Sequence, residues 1–248
     1  MKMPKANIRL DIQYKGTDFA GWQYQPNEIT IQGEIEKALE IITAQKVALH
    51  GAGRTDAGVH ALGQVANFHI DHYLPAEKYR EALNFYLPRT IRITKSVAIA
   101  EGFRARKSAV WRHYRYIIDR QNTALFFDYR WRYPFPLNIE ILNCLAEIIL
   151  GRHDFSTFCT IASQKEDNSC EVYESSWHEE GSLLIYDIRA NRFLHSMVRS
   201  LVGMMTEAGR GEVVSAPAEF SEIMASKDHT RIGNVAPARG LYLMEVGY

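Results

Sequence analysis

The stretch His50-Gly-Ala-Gly-Arg-Thr-Asp-Ala-Gly-Val-His-Ala61 contains three glycines, one cation, one carboxylate and two imidazoles. Glycine lets the backbone adopt positive φ or approach a ligand closely, at an entropic cost that an ordinary surface loop has little reason to carry three times. We therefore expect these residues to form a binding or catalytic loop, around which the rest of the chain is organised.

Known glycine-rich motifs make demands on spacing that this stretch does not meet. In a dinucleotide-binding G-x-G-x-x-G motif that begins at Gly51, the third glycine would fall on Asp56, where a carboxylate would repel the pyrophosphate. A P-loop ends in Gly-Lys-Ser or Gly-Lys-Thr, and neither tripeptide occurs in this loop. A turn that carries Arg54 and Asp56 as a surface pair remains an alternative.

Arg54 and Asp56 are two residues apart, so in an extended loop they point to the same side. The guanidinium would keep the carboxylate ionised and aimed, which suits a nucleophile or a general base. A single carboxylate does not provide the paired acids of a glycosidase. A metal site would need more carboxylates or clustered His and Cys. The residue types therefore favour Asp56 as a nucleophile or base.

Composition sets the broad class of protein. The 248 residues are 46% hydrophobic, so the chain can bury one large core or two smaller ones. Lys plus Arg and Asp plus Glu number 29 each, so an RNA site must be a local patch. The three cysteines form no C-x-x-C pair and the N-terminal residues lack an apolar signal region, which predicts a cytoplasmic protein. No apolar run approaches the roughly 20 residues of a membrane span.

Hydrophobic periodicity predicts a repeated arrangement of strands and helices. Residues 7 to 15 alternate between apolar and polar side chains, as in a half-buried strand. The first half reads as βαββαβ, and the second half repeats this order with one additional helix. We predict an α+β fold of two split βαβ halves, residues 1–104 and 105–248, each with an antiparallel sheet and helices on one face.

A helix is predicted from Leu194 to Ala208, because apolar residues recur there at i, i+3, i+4, i+7 and i+8. His195 and Arg199 are four residues apart and would share the face opposite the apolar stripe. An arginine in such a position is usually solvated, so the pattern alone assigns it no role.

A local basic segment lies between Phe103 and Arg120. It has six basic residues against one acidic residue, Asp119, with aromatic residues between them. Cations for phosphates beside aromatic faces for bases are what unstacked RNA requires. An edge strand with a solvated charged face is the alternative. The basic members are Arg104, Arg106, Lys107, Arg112, Arg115 and Arg120, and the interleaved residues are Trp111, His113, Tyr114 and Tyr116.

Residues 51 to 61, Gly-Ala-Gly-Arg-Thr-Asp-Ala-Gly-Val-His-Ala, resemble the signature of the tRNA pseudouridine synthase A family in one unbroken run. An eleven-residue match is far more specific than a lone glycine pattern. Shorter segments resemble the same family, namely Phe103-Arg-Ala-Arg106, Arg112-His-Tyr-Arg-Tyr116, Asn191 to Gly203 and Gly240-Leu-Tyr-Leu243.

The resemblance implies a role for four residues. Asp56 matches the catalytic aspartate of the family, and Arg54 matches the arginine beside it. Tyr114 matches the tyrosine that lies against the target base, and Arg199 matches an active-site basic residue. The residues alone do not distinguish Tyr114 from Tyr116, because both lie on one face of the same predicted strand.

The resemblance also implies a fold, a substrate and a partner. The fold would be two ferredoxin-like halves side by side, with the active-site cleft between them. The reaction would isomerise uridine to pseudouridine at positions 38 to 40 of the tRNA anticodon stem-loop, on a nucleotide flipped out of the stack. The enzyme would be a homodimer that needs no cofactor and no metal. One departure is Cys170, in a segment where relatives commonly carry an arginine.

Two other classes of function remain open at this point. The chain could be a non-catalytic RNA-binding module that uses the basic segment. It could instead be a hydrolase in which Asp56 works with a metal held by histidines from the set His50, His60, His69 and His72.

Overall fold

The computed structural model describes residues 5–71, 74–121, 123–210 and 216–248. The chain divides into two compact units, and both combine helices with β-sheet. The predicted α+β class is therefore confirmed. Unit 1 contains residues Met1–Val110 and Leu243–Tyr248, and unit 2 contains Trp111–Tyr242. Within the described ranges, no helix is long and apolar enough to span a bilayer.

Unit 1 follows the predicted βαββαβ order. Strands β1 and β3 pair antiparallel, and β1 also pairs antiparallel with β4, so β1 lies between them. The short strand β2 pairs antiparallel with β3. The elements are β1 (Lys5–Tyr14), α1 (Ile31–Thr43), β2 (His50–Gly51), β3 (His60–Asp71), α2 (Lys78–Tyr86) and β4 (Ile91–Ile99).

Local sequence accounts for the ends of these elements. The hydroxyl of Thr30 accepts a hydrogen bond from Gly33 N at 3.1 Å, which makes Thr30 the N-cap of α1. Ile31, Ile35 and Leu39 lie on one face of the helix and are almost fully buried. Burial of three such side chains contributes several kcal/mol, at about 1.5–3 kcal/mol each. The Thr30 cap and this stripe thus define where α1 begins and which of its faces is buried.

Unit 2 has an antiparallel sheet in the order β5-β9-β8-β7, with β6 added parallel to β5. Its elements are β5 (Trp111–Asp119), β6 (Trp131–Arg132), α3 (Ile139–Ile148), β7 (Gly151–Asp154), β8 (Ser169–Glu180), β9 (Leu183–Ala190), α4 (Met197–Gly209) and α5 (Ala216–Ser226). A last strand, β10 (Leu241–Gly247), begins in unit 2 and ends in unit 1.

Unit 2 departs from its prediction in two strands. β6 and β7 are additional to the expected order, and both are too short to show a hydrophobic period. β7 starts at Gly151, whose φ of 86° lets the chain reverse directly after α3. Gly151 therefore marks the change from helix to strand.

The helix predicted from Leu194 to Ala208 starts three residues later than expected. Ser196 has a φ of 60°, so helical geometry begins only at Met197. The prediction that His195 and Arg199 share a helical face is therefore wrong. His195 Nδ1 instead lies 3.0 Å from the Thr160 hydroxyl and 3.2 Å from the Ser163 hydroxyl.

Candidate active site

Asp56 occupies the first position of a tight turn in unit 1. Val59 N donates to Asp56 O at 3.2 Å. Gly58, the third residue of the turn, has a φ of 79°, which only glycine adopts without strain. The Asp56 side chain is half-buried, and Arg54, two residues earlier, is exposed. The loop predicted from its glycines thus presents a carboxylate and a cation on a backbone of defined shape.

Thr55 is anchored beneath this turn by both its side chain and its backbone. Its hydroxyl lies 2.8 Å from the phenol oxygen of Tyr14, in the buried interior of unit 1. Its carbonyl accepts a hydrogen bond from Trp22 N at 3.0 Å. Gln64 Nε2 donates to Gly53 O at 2.9 Å and lies 3.4 Å from the same phenol oxygen. The residues before Asp56 are therefore fixed by uncharged polar groups.

The Tyr14 phenol is protonated at neutral pH. Burial raises its pKa to about 12, while the hydrogen bonds with Thr55 and Gln64 act in the opposite direction. The phenol thus acts as a hydrogen-bonding group of fixed protonation state.

The other side of the loop is held by a close backbone approach. A Cβ on Gly16 would come within 2.0 Å of Val59 O, so only glycine fits there. Gly16 N also donates to His60 Nδ1 at 3.1 Å, and the His60 ring is buried. This bond makes Nδ1 of His60 an acceptor and removes that atom from the set of expected metal ligands.

The histidines named for a metal-dependent hydrolase do not form a metal site in the described residues. His72 lies outside the described residues. Among the residues that the structure describes, no group of three His, Cys, Asp or Glu side chains is placed to hold a metal ion.

Tyr114 and Tyr116 lie on the same buried face of β5 in unit 2, as predicted, but their contacts differ. The Tyr116 hydroxyl donates to Pro237 O at 2.7 Å, and its ring is fully buried. Burial raises the Tyr116 pKa well above its usual value. Tyr114 keeps 7% of its surface exposed and meets Phe193 edge to face, with ring centroids 5.0 Å apart. Tyr116 is thus a core tyrosine, and Tyr114 lies nearer to solvent.

Arg199 lies in the first turn of α4 and is tied to the segment that precedes β10. Its Nε donates to Ala236 O at 2.8 Å, and Ala236 N donates to Arg199 O at 3.1 Å. On the same helix, a Cβ on Gly203 would come within 1.8 Å of Asn234 O, so the two segments touch through backbone. The Arg199 guanidinium is therefore held in place, which the solvated arginine of an ordinary helix face is not.

The basic strand, which we define as β5, carries fewer available cations than its sequence indicates. Arg115 forms a two-point ion pair with Asp187 of β9, at 2.9 and 3.0 Å. His113 Nε2 lies 2.7 Å from the same carboxylate. Just beyond the strand, Arg120 pairs with Glu179 of β8 at 2.7 Å. The prediction of a patch with six cations against one acid overlooked these acidic partners.

Two buried asparagines of unit 1 were missed by the sequence analysis. Asn67 Nδ2 donates to Asn7 Oδ1 at 2.9 Å, and Asn67 Oδ1 accepts from Ala105 N at 2.8 Å. Asn7 Nδ2 donates to Phe103 O at 3.0 Å. The pair thereby fixes the segment that carries the exposed Arg104. A polar residue in the apolar centre of a strand, as Asn67 is, was the signal for it.

Cys170 fills a core position in β8, opposite His153 of β7. Burial raises its pKa to about 12, so it is an unreactive thiol at neutral pH.

A protein-family model described as tRNA pseudouridine synthase matches residues 12–106 and 145–248. The chain belongs to the tRNA pseudouridine synthase family. The family resemblance inferred from residues 51 to 61 is confirmed. So is the predicted enzyme class, since this family isomerises uridine to pseudouridine in tRNA.

Curated relatives match over almost their whole length. A protein of Brachyspira hyodysenteriae named "tRNA pseudouridine synthase A" is 41% identical over 95% of this chain and 96% of its own length. A protein of the same name from a Thermoanaerobacter species is 39% identical over 98% of this chain and 99% of its own length. Another, from Brevibacillus brevis, is 40% identical over 97% of this chain and 99% of its own length. Among solved structures, a chain of a Cbf5-Nop10-Gar1 complex aligns over 80% of this chain and 53% of its own length, with 12% identity and a TM-score of 0.34. This TM-score is too low to bear on the fold.

The two ranges matched by the family model contain most of the predicted site. The first includes the loop of Arg54 and Asp56, and the second includes Arg199. Tyr114 lies between the two ranges. The structure places Arg54 and Asp56 together in unit 1, and it places Tyr114 and Arg199 in unit 2.

Proposed function

We propose that this chain converts uridine to pseudouridine at positions 38 to 40 of the tRNA anticodon stem-loop, with Asp56 as the catalytic residue. Family membership supports the reaction and the substrate class. The observation that carries the assignment of Asp56 is its place at the start of a fixed turn, half-buried, in the middle of the family signature.

The reaction rearranges one nucleotide without a co-reactant. The bond between the sugar and uracil N1 breaks, the base turns, and a new bond joins the sugar to carbon 5. Carbon 5 loses its hydrogen and N1 gains one, so there is no net change in composition or redox state. The base cannot turn inside a helical stack, so the nucleotide must be flipped into a pocket. The substrate therefore demands positioning and one activated carboxylate, and no cofactor.

Each site residue then has a defined role. Asp56 acts on the flipped nucleotide as nucleophile or general base, and Arg54 orients its carboxylate. Tyr114 packs against the uracil, a role supported by its residual exposure and by the engagement of Tyr116 with Pro237. Arg199 supplies a positive charge on a guanidinium that Ala236 already orients.

We also propose the finer features of fold and assembly that the family resemblance implies. In unit 1, the order β4-β1-β3 with β2 on β3, and the chain order βαββαβ, support a ferredoxin-like arrangement. A homodimer in the cytoplasm is the proposed working form. Sedimentation equilibrium at micromolar concentration tests the dimer, and a monomer mass would contradict it.

The target positions are tested with three tRNA transcripts, each of which keeps a uridine at only one of positions 38, 39 and 40. A fourth transcript without uridine at these positions is the control. We expect carbodiimide mapping to detect pseudouridine in the first three and not in the fourth. Modification elsewhere in the fourth transcript would reject the proposed positions. Binding of all four without any modification would support the RNA-binding module instead.

A further inference from the structure

A buried group of hydroxyl and amide side chains lies directly beneath the Asp56 turn. We call Tyr14, Thr55 and Gln64 the hydroxyl cluster. Tyr14 is the last residue of β1, and the pairing of β1 with β3 shifts register just before it. Its ring packs against Trp22, with centroids 6.0 Å apart. Its phenol oxygen lies 2.8 Å from the hydroxyl of Thr55, the residue next to Asp56.

The hydroxyl cluster restricts the backbone on the N-terminal side of Asp56. Thr55 cannot rotate without breaking its bond to Tyr14 and the bond from Trp22 N to its carbonyl. Gln64 connects the same phenol to Gly53 O. On the C-terminal side, the bond from Val59 N to Asp56 O closes the turn. The direction in which Asp56 projects is therefore set by groups on both sides of it.

We infer that Tyr14 and Thr55 are positioning residues for the reaction, which hold the Asp56 backbone so that its carboxylate meets the flipped uridine in a productive geometry. This inference rests on the proposed function of Asp56. Neither residue needs to touch the substrate or exchange a proton. A displacement of about 1 Å in a catalytic group can lower a rate by roughly 100-fold, so a hydrogen bond that fixes a neighbouring residue can matter for rate without mattering for binding.

Unit 2 supplies a matched control for a buried tyrosine that bonds a hydroxyl. The Tyr186 phenol lies 2.9 Å from the Ser175 hydroxyl, and both residues are buried. Burial raises the Tyr186 pKa as it does that of Tyr14. Tyr186→Phe therefore removes the same kind of bond from a position to which we assign no part in the site.

The experiment is a double-mutant cycle with Tyr14→Phe, Thr55→Val and both changes together. Steady-state kcat and KM for a tRNA transcript are measured beside thermal unfolding. Tyr14→Phe leaves the Thr55 hydroxyl without this bond, and Thr55→Val leaves the Tyr14 phenol with Gln64 alone. Each single change should lower Tm by about 2–4 °C. The double variant replaces both hydroxyls with apolar groups, and Gln64 keeps its bond to Gly53 O, so most of the lost Tm should return.

Kinetics then separate positioning from stability. We expect the double variant to keep a kcat about 10 to 100-fold below wild type, with KM within about twofold. Thr55→Ser, which retains the hydroxyl, should recover most of the kcat. Tyr186→Phe should have a lower Tm than wild type and an unchanged kcat. A double variant that regains both Tm and kcat would overturn the inference, because the bond would then serve stability alone. If the double variant does not fold, the kcat of Tyr14→Phe is compared with that of Tyr186→Phe. Equal kcat values for these two variants would overturn the inference.

An Asp56→Asn variant in the same series distinguishes the two proposals. If that variant is inactive while the Tyr14 and Thr55 variants are fully active, only the positioning inference fails. If Asp56→Asn is as active as wild type, the proposed function of Asp56 fails, whatever the double variant does.

Discussion

The Asp56 loop and the basic strand β5 are both rich in polar residues, but they satisfy those residues in different ways. In the loop, neutral groups such as the Tyr14 phenol and backbone amides hold Thr55 and the Asp56 turn. In β5, Arg115 and His113 bind Asp187, which lies more than 70 residues further along the chain. The backbone of the loop is thus held by uncharged groups, whereas Arg115 and His113 of the strand are paired with an acidic residue of the neighbouring strand.

This difference indicates which kind of sequence pattern is a reliable guide to function. Uncharged partners fix the backbone around Asp56, so these bonds can be removed by substitution without changing the charge of the loop. A cation count along a strand is less informative, because an acidic residue of the neighbouring strand can balance each charge. The following predictions test this comparison, beginning with the largest expected effect.

The largest effect should come from the close backbone contact that supports the loop. Gly16→Ala places a Cβ within 2.0 Å of Val59 O, so we expect a loss of about 3 kcal/mol in the free energy of unfolding and little remaining activity. Gly102→Ala is the control, because a Cβ there meets nothing within 4 Å, and its stability should be unchanged or up to about 1 kcal/mol higher. Urea midpoints of the two variants measure the difference. Equal midpoints would show that the loop is not tightly held.

A smaller effect should come from the acid that binds the basic strand. Burial raises the pKa of Asp187, but hydrogen bonds from His113 and Arg115 outweigh burial and hold it below its usual value. A carboxyl with a lowered folded pKa stabilises the protein above its unfolded pKa of about 3.9 and loses that contribution as pH falls through the folded pKa. Asp187→Asn should therefore cost about 1–2 kcal/mol at pH 7.

The pH dependence is the diagnostic part of this prediction. Urea unfolding of wild type and Asp187→Asn is compared at pH 7, 5 and 3.5. We expect the difference between them to be smaller at pH 3.5 than at pH 5, because the unfolded chain gains a proton on Asp187 below about pH 4. A difference that stays the same down to pH 3.5 would mean that the charge of Asp187 contributes nothing to the strand.

The smallest effect should appear in tRNA affinity. Lys107 is exposed, whereas the Arg115 guanidinium is paired with Asp187. We expect Lys107→Gln to weaken tRNA binding by roughly threefold and to lower the slope of log affinity against log salt by about one. Arg115→Gln should change affinity by less than about twofold. Filter binding at several salt concentrations measures both. The opposite ranking would show that the ion pair opens for RNA and would weaken the comparison.

Much of the fold was predictable because it is encoded locally. Unit 1 has the βαββαβ order that its hydrophobic pattern predicts, and Thr30 caps α1 as its type and position indicate. The start of α4 was not predictable from periodicity, because Leu194 continues the apolar pattern while Ser196 breaks the helix. Hydrophobic periodicity indicates which side chains are buried, but it carries no information about the backbone angle of one residue such as Ser196.

The candidate site also has a part that local sequence predicts and a part that it does not. The signature of the loop, one short stretch of sequence, predicts Asp56 and Arg54 as site residues. Tyr14 and Gln64 support that loop from β1 and β3, and no spacing in the sequence connects either residue to Thr55. The engagement of Tyr116 with Pro237 was equally invisible, because its partner lies 121 residues away. Pairings between distant segments have to be read from the structure.

The central claim is that Asp56 performs the chemistry on tRNA uridine. The most direct measurement is tritium release from tRNA that carries uridine tritiated at carbon 5, because formation of the new carbon–carbon bond expels the hydrogen of that atom. Wild type should release tritium without added metal or nucleotide. Asp56→Asn and Asp56→Ala should release it at least about 1,000-fold more slowly while binding tRNA normally. Release by Asp56→Asn at the rate of wild type would contradict the account.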